Sequence, residues 1–394
     1  MITREIAPTL TSLFENNPVV TVTGPRQSGK TTLCRAAFPN LAYFNLERPD
    51  QREFATEDPR GFLKGCEGGA VVDEIQRAPD LVSYIQAAVD ETGRNGQYVL
   101  TGSRQFRIAE AVSQSLAGRT AVLRLLPFSI REALEARKTA DVEQLIQTGF
   151  YPRIYDHDLD PTLALGDYFE TYVERDVRQI SEIRNLSAFQ KFVRLCAGRA
   201  GQLLNLQSLG NDAGISHTTA RQWISVLEAS YIVFLLQPYH ANISKRLIKS
   251  PKLYFHDVGL ASYLLGIETP RQIATHPLKG FLFENLVVVE ALKHRFNQGR
   301  RSNLSFYRDS SGTEVDLIYS IADKFLAVEI KAGETVSGSF FSNLQKLRRY
   351  LPKNTAGEIL VHGSETEMIR DHIRVTGPVG FVPTLADLER EVLG

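Results

Sequence analysis

The feature that most restricts this chain is the run Gly24-Pro25-Arg26-Gln27-Ser28-Gly29-Lys30-Thr31, which fits G-x4-G-K-[ST]. It follows the β-branched run Val19 to Thr23 directly and precedes a segment of helical character that begins near Thr32. A strand, a glycine-bearing loop and a helix in that order turn backbone N–H groups inward around a phosphate chain, and the helix N-terminus adds partial positive charge. Lys30 then reaches the β and γ phosphates, and Thr31 offers a hydroxyl to magnesium. Gly24, Pro25, Arg26, Gln27, Ser28, Gly29, Lys30, Thr31 and Thr32 are accordingly assigned to the nucleotide. No N-K-x-D element for guanine is present, so ATP is the expected triphosphate.

The second half of such a site is expected at Gly69-Ala70-Val71-Val72-Asp73-Glu74, a short apolar strand that ends in two carboxylates. On a neighbouring parallel strand, Asp73 would hold Mg²⁺ through water and Glu74 would act as the base that polarises an attacking water. A third apolar run, Tyr98 to Leu100, leads into Thr101-Gly102-Ser103, where Ser103 is the expected sensor of the γ phosphate. Downstream, Ser115-Leu116-Ala117-Gly118-Arg119 offers Arg119 as an arginine finger, in cis or across a subunit interface, with a surface ion pair as the alternative.

At 394 residues the chain exceeds the roughly 250–300 residues that one hydrophobic core supports. Changes in apolar period divide it into three stretches. Residues 1–127 alternate strand-like and helix-like segments, as in a parallel sheet with crossover helices. Residues 128–270 carry helical spacing, and residues 271–394 form a second α/β pattern. The fold class expected is α/β: a P-loop NTPase sheet, a helical and winged-helix middle region and a C-terminal α/β domain.

In the middle, Leu206 to Ser216 followed by His217 to Leu227 reads as a helix, a glycine-containing turn and an N-capped second helix. Ile215, Trp223, Ile224 and Leu227 would face inward, leaving His217, Thr218, Thr219, Arg221 and Gln222 outward. Ser244, Lys245, Arg246 and Lys249 would form a basic wing. From Lys191 to Lys252 there are eight basic residues against Asp212 and Glu228, although the whole chain is balanced at 45 of each sign. Contact with nucleic acid must therefore be local. Glu174-Arg175-Asp176 reads as an ion-pair cluster and Asp257 as a helix N-cap. The three cysteines are widely spaced, no apolar stretch approaches the roughly 18 residues of a membrane span, and no secretory leader is visible, so a cytoplasmic protein without a membrane partner is expected.

Near the C-terminus, Gly312-Thr313-Glu314-Val315-Asp316 precedes Val328-Glu329-Ile330-Lys331. Strand alternation puts Glu329 and Lys331 on one face. With Asp316 on the adjacent strand, two carboxylates could hold Mg²⁺ while Lys331 assists a water or stabilises charge on a phosphodiester, and Glu284 on the preceding helix could complete the acidic cluster.

In this order the motifs resemble prokaryotic AAA-type P-loop ATPases fused to a C-terminal domain of unknown function that itself resembles the PD-(D/E)xK nucleases. The resemblance rests on Gly24 to Thr31, Val71 to Gln76, Leu100 to Ser103, Ser115 to Arg119, Tyr172 to Asp176, Lys279 to Leu286 and Gly312 to Lys331. It implies ATP binding and a nuclease-like fold. An oligomer, a ring among the options, would place Arg119 at a neighbour's nucleotide. The function expected is an ATP-hydrolysing, DNA-processing protein. The alternatives are an ATPase that remodels or translocates branched DNA through a non-cleaving C-terminal domain, and an ATP-switched regulator that does not touch DNA.

Overall fold

The computed structural model describes residues 2–102, 116–137, 141–177, 183, 185–239 and 250–394, with backbone alone at 174–177. Ser103, Ser115, Ser244, Lys245, Arg246, Lys249 and the side chains of Glu174, Arg175 and Asp176 lie outside the described residues. The chain divides into two compact units: Met1–Phe128 with Ala229–Tyr231 and Arg295–Arg301, and Ser129–Glu228 with Ile232–His294 and Ser302–Gly394. This division does not separate 128–270 from 271–394.

In the first unit, β1 (Val19–Thr23), β2 (Ala42–Asn45), β3 (Ala70–Asp73), β4 (Tyr98–Gly102) and β5 (Thr120–Arg124) form a sheet in the order β2-β3-β4-β1-β5. Every neighbouring pair is parallel. All five residues of β1 are buried, which explains its unbroken β-branched run: a parallel strand covered on both faces has no solvent side to make polar. Val20 and Val22 join Leu10, Leu33 and Cys34 in one core, while Val19 joins Val72, Ile85 and Leu100 in the other. Helices therefore sandwich the sheet, and β1 delivers its C-terminal end to the middle of one edge.

One expectation is corrected here. β3 is not the neighbour of β1; β4 stands between them, paired with both. Asp73 is thus two strands away from β1, with β4 in between. The half-buried edge strand β2 was not legible, because Ala42–Asn45 lacks the apolar run of the central strands.

In the second unit, helix Leu206–Ala213 ends at Gly214 in the left-handed region (φ +74), and helix His217–Ala229 follows. The antiparallel pair β6 (Val233–Leu236) and β7 (Lys252–Phe255) comes next in the chain. Asp257 caps helix Val258–Leu264 as expected, accepting from Leu260 N at 2.9 Å, and its other oxygen accepts from Phe150 N at 2.7 Å. Helix Lys279–Asn297 is apolar on most sides because it is buried on most sides, with Leu282, Phe283, Leu286, Val287, Val288, Ala291 and Leu292 enclosed.

A six-stranded sheet closes the unit: β8 (Leu304–Arg308), β9 (Glu314–Ile321), β10 (Lys324–Lys331), β11 (Thr355–His362), β12 (Met368–Arg370) and β13 (Ile373–Thr376), in the order β12-β13-β11-β10-β9-β8. β9 and β10 form a hairpin, and β10 runs parallel to β11. Phe325, Ala327 and Ile318 pack with Leu344 and Leu347 of helix Ser342–Tyr350, so odd-numbered positions of β10 face that helix.

The turn out of β1 depends on one missing side chain. A Cβ at Gly24 would lie 2.0 Å from the Leu125 carbonyl oxygen, which is backbone and cannot swing aside. Gly24→Ala should therefore destabilise the first unit by about 2–3 kcal/mol, seen as a lowered urea midpoint. An unchanged midpoint would contradict this account of the turn.

Candidate functional site

The loop from Gly24 to Gly29 joins β1 to helix Lys30–Ala37 with Gln27 (φ +62) and Gly29 (φ +91) in the left-handed region. These two residues let the loop curl back on itself. It is also held from behind. The Arg4 guanidinium donates to Ser28 O at 2.7 Å and Leu126 O at 2.8 Å and lies 4.9 Å from the Phe128 ring centroid. Lys30 is buried, and its ammonium donates to Gly24 O at 3.1 Å and Pro25 O at 2.7 Å. Burial lowers its pKa, while the charges of Glu74 and Asp73 pull it back up. Thr32 is exposed, and Arg26 pairs with Glu47 at 3.7 Å.

Asp73, 3% exposed, ends β3 and is met by three hydroxyls. Thr31 Oγ1 donates to its Oδ2 at 2.7 Å, Tyr43 OH donates to the same oxygen at 2.8 Å, and Thr101 Oγ1 donates to Oδ1. Thr101 belongs to β4, the intervening strand, and its oxygen also accepts from Glu74 N at 3.3 Å. A threonine one strand over thus fixes both the metal candidate and the base candidate. Glu74 itself has φ +58, a conformation costing about 1–3 kcal/mol for a residue with a side chain. That turn takes its carboxylate off the strand line, where Gln76 donates to it. Burial raises the Glu74 pKa, with Lys30 opposing.

Thr31 and Asp73 are hard oxygen donors side by side, the set that Mg²⁺ uses together with substrate phosphates. The residues present fit that ion.

Arg119 is elsewhere. It precedes β5, so it stands at the opposite end of the strand from the loop, roughly 15 Å along the sheet. There it forms an ion pair with Asp90, Nη2 to Oδ2 at 2.9 Å. A finger role in cis is overturned by this position; the ion-pair alternative describes what is seen. Tyr43, Thr101 and Arg4 carry no motif of their own, and of the three only Thr101 sat in a stretch that the strand-end logic had marked.

In the second unit, Glu284, Asp316, Glu329 and Lys331 do come together. Asp316 and Glu329 lie one step beyond the paired residues Leu317 and Val328. Lys331 Nζ is 3.4 Å from Asp316 Oδ2 and 2.8 Å from Glu329 Oε1, and Ile330 N donates to Asp316 Oδ2 at 2.8 Å. Two members were not foreseen. Lys252, from β7, places its ammonium 2.9 Å from Glu284 Oε1 and 2.6 Å from Glu314 Oε1. Among the described residues no group of three or more His, Cys, Asp or Glu is arranged to hold a metal ion. The metal expected at Glu284, Asp316 and Glu329 does not fit the cluster as it stands.

On helix His217–Ala229, Trp223, Ile224 and Leu227 are buried, and Thr218, Arg221 and Gln222 are exposed. Ile215 is only half-buried, short of the inward position expected for it.

Residues 16–134 match the AAA domain family. Residues 139–271 and 279–380 match two domains of unknown function, DUF8612 and DUF4143, which bring no activity with them. The sheet, the phosphate loop and this match define the N-terminal module as a P-loop ATPase of the AAA type. An uncharacterized protein of Mycobacterium tuberculosis is 30% identical over 343 residues, covering 85% of this chain and 75% of its own length, and the chain belongs to the same family. Among solved structures, the Walker-type ATPase paby2304 of Pyrococcus abyssi is 16% identical at a TM-score of 0.46, covering 67% of this chain and 96% of that one. AMPPCP-bound DnaA from Aquifex aeolicus is 16% identical at a TM-score of 0.31, covering 57% and 86%. No described helix is long and apolar enough to cross a membrane.

Burial, and then the Asp316 charge, push the Glu329 pKa up to about 8. A carboxyl whose folded pKa lies above its unfolded value contributes stability that is complete below the unfolded value, about 4.3, and is lost as pH rises through the folded one. Between about pH 5 and about pH 8 the unfolding free energy of the wild type should fall by up to about 1.4 kcal/mol per pH unit relative to Glu329→Gln. Parallel urea-unfolding curves for the two proteins would count against this.

Proposed function

We propose that the N-terminal unit hydrolyses Mg-ATP and that turnover alters DNA held by the helix-turn-helix stretch of the second unit. The observation that carries the ATPase half is the Thr31–Asp73–Thr101 chain of hydroxyl, carboxylate and hydroxyl, with Glu74 as the next residue. In this reading the ammonium of Lys30 leaves the carbonyl oxygens of Gly24 and Pro25 for the phosphate chain, a move between acceptors a few ångströms apart on one loop. Backbone N–H groups at the helix start, from Gly29 to Thr31, would hold phosphate oxygens. Thr31 and Asp73 hold Mg²⁺, which when bound neutralises charge on the β and γ oxygens. Glu74, made more basic by burial, orients and deprotonates the attacking water, while Thr101 keeps its backbone in place.

The DNA half rests on the seven basic residues against Asp212 and Glu228 between Lys191 and Lys249, Lys252 being buried, and on the exposed side chains of Thr218, Arg221 and Gln222. These residue types donate to phosphate oxygens and base edges, and a second helix after a glycine turn is the element that enters a major groove.

Nucleotide binding and phosphate release together test the first half. Lys30→Ala should abolish turnover, and Glu74→Gln should keep nucleotide binding while lowering turnover by about 10²–10⁴-fold. Normal hydrolysis by Lys30→Ala would end the ATPase reading. For the second half, labelled duplex, single-stranded and branched DNA are titrated with and without ATP. Arg221→Glu should weaken binding and flatten its salt dependence; a chain whose ATPase rate and mobility ignore all three DNAs does not act on DNA.

A further inference from the structure

The carboxylates that a nuclease-like fold would use for a divalent ion already surround a cation, and the chain itself supplies it. Lys252 is 2% exposed, at the first position of β7. Its ammonium reaches Glu284 Oε1 at 2.9 Å, Glu314 Oε1 at 2.6 Å and Asp316 Oδ1 at 3.9 Å, and lies 5.5 Å from the centroid of the Phe306 ring. The three acids come from helix Lys279–Asn297 and β9, so the lysine joins three separate elements of the unit. Other groups of the chain also bind these acids. Tyr254 OH donates to Glu284 Oε1 at 2.5 Å, Arg308 Nη1 sits 3.0 Å from Glu314 Oε2, and Asp316 Oδ2 accepts from Ile330 N and Lys331. Glu329 keeps one oxygen, Oε2, without a hydrogen-bond partner, which is one ligand and not a shell.

We propose that Lys252 is the resident cation of this cluster, so that the C-terminal sheet takes no divalent metal there and does not cut phosphodiesters by a metal-dependent route. A divalent ion seated among Glu284, Glu314 and Asp316 would stand within a few ångströms of a fixed ammonium, whose repulsion in a buried site is weakly screened. Mg²⁺ in addition demands a near-octahedral shell of oxygens, several of them water, and Glu284 Oε1, both oxygens of Glu314 and Asp316 Oδ2 are already engaged by other groups of the chain. The lysine is held in turn by the acids it neutralises, as a buried ammonium must be. The role assigned to the cluster is therefore that of a lock between the β6–β7 ribbon, the long helix and the six-stranded sheet. The inference stands apart from the ATPase reading and from DNA binding, either of which can hold or fail without it.

The test is Mn²⁺ titration of the full-length chain, followed by electron paramagnetic resonance of free Mn²⁺, in an Asp73→Asn background that removes the nucleotide-site carboxylate. The chain with Lys252 intact should show no Mn²⁺ site sensitive to Asp316→Asn. Lys252→Met in the same background should gain one Mn²⁺ per chain, bound about tenfold tighter or more than before and lost again with Asp316→Asn. Stoichiometric, Asp316-dependent Mn²⁺ binding with Lys252 in place would overturn the proposal, as would a folded Lys252→Met chain that gains nothing. Should the methionine variant not fold, nicking of supercoiled plasmid by the wild type with Mn²⁺ decides the matter: no nicking is expected, and nicking abolished by Lys331→Ala overturns the lock.

Discussion

A carboxylate taken out of water has to be met by donors, and the two acidic sites described above meet theirs in different ways. Asp73 is met by hydroxyls of Thr31, Tyr43 and Thr101. Hydroxyls orient a carboxylate without cancelling its charge, so the negative potential at the end of β3 stays available to a cation that arrives with the substrate. Glu284, Glu314 and Asp316 are met by ammonium and guanidinium groups from Lys252, Lys331 and Arg308. Those donors cancel charge as well as satisfying oxygens, and little is left to attract an ion. Similar acids thus do different work according to whether their partners are neutral or charged.

The neutral arrangement is possible only because the backbone brings three strand ends to one place. β1, β4 and β3 run parallel and finish at the same edge, so Thr31 after β1, Thr101 on β4 and Asp73 on β3 arrive together without any loop having to find its own position. Glu74 pays for its place with a left-handed backbone, stabilised by its N–H bond to Thr101. Gly24 meets a constraint of packing before any constraint of ligand, since the Leu125 carbonyl oxygen already occupies the space of its missing side chain. The glycine usually credited to phosphate binding is required here by the adjacent strand.

What could be read from the residues alone follows from how local each cause is. β1, β3, β4, β9, β10 and the helix carrying Glu284 were legible because their apolar periods are set by burial of the element itself. β2 and β12 were not: Ala42–Asn45 is half-buried at a sheet edge and Met368–Arg370 is exposed throughout, so neither carries the pattern of a buried strand. The order of β1, β4 and β3 was also out of reach, because crossover connections leave no trace in hydrophobic spacing. At the nucleotide site Lys30, Thr31, Asp73 and Glu74 were visible through motif and strand end, whereas Arg4 and Tyr43 reach it from stretches whose composition says nothing of phosphates. Arg119 was placed wrongly for a cis role because a glycine-arginine pair before a strand does not reveal which end of the sheet it occupies.

The C-terminal cluster shows the limit of reading chemistry from a linear pattern. Glu284, Asp316, Glu329 and Lys331 were brought together as their order suggested, so the pattern was a sound guide to geometry. Its chemistry turns on Lys252, which is 32 residues from Glu284 in the chain, comes from a different sheet, and looked in the sequence like one more basic residue in a basic stretch. A pattern of acids on adjacent strands is equally compatible with a metal ion and with an ammonium at its centre, because both are cations that the same oxygens can surround. Only the third dimension distinguishes them, and acids in a metal-binding order do not carry a metal's reaction once a side chain has taken the metal's charge.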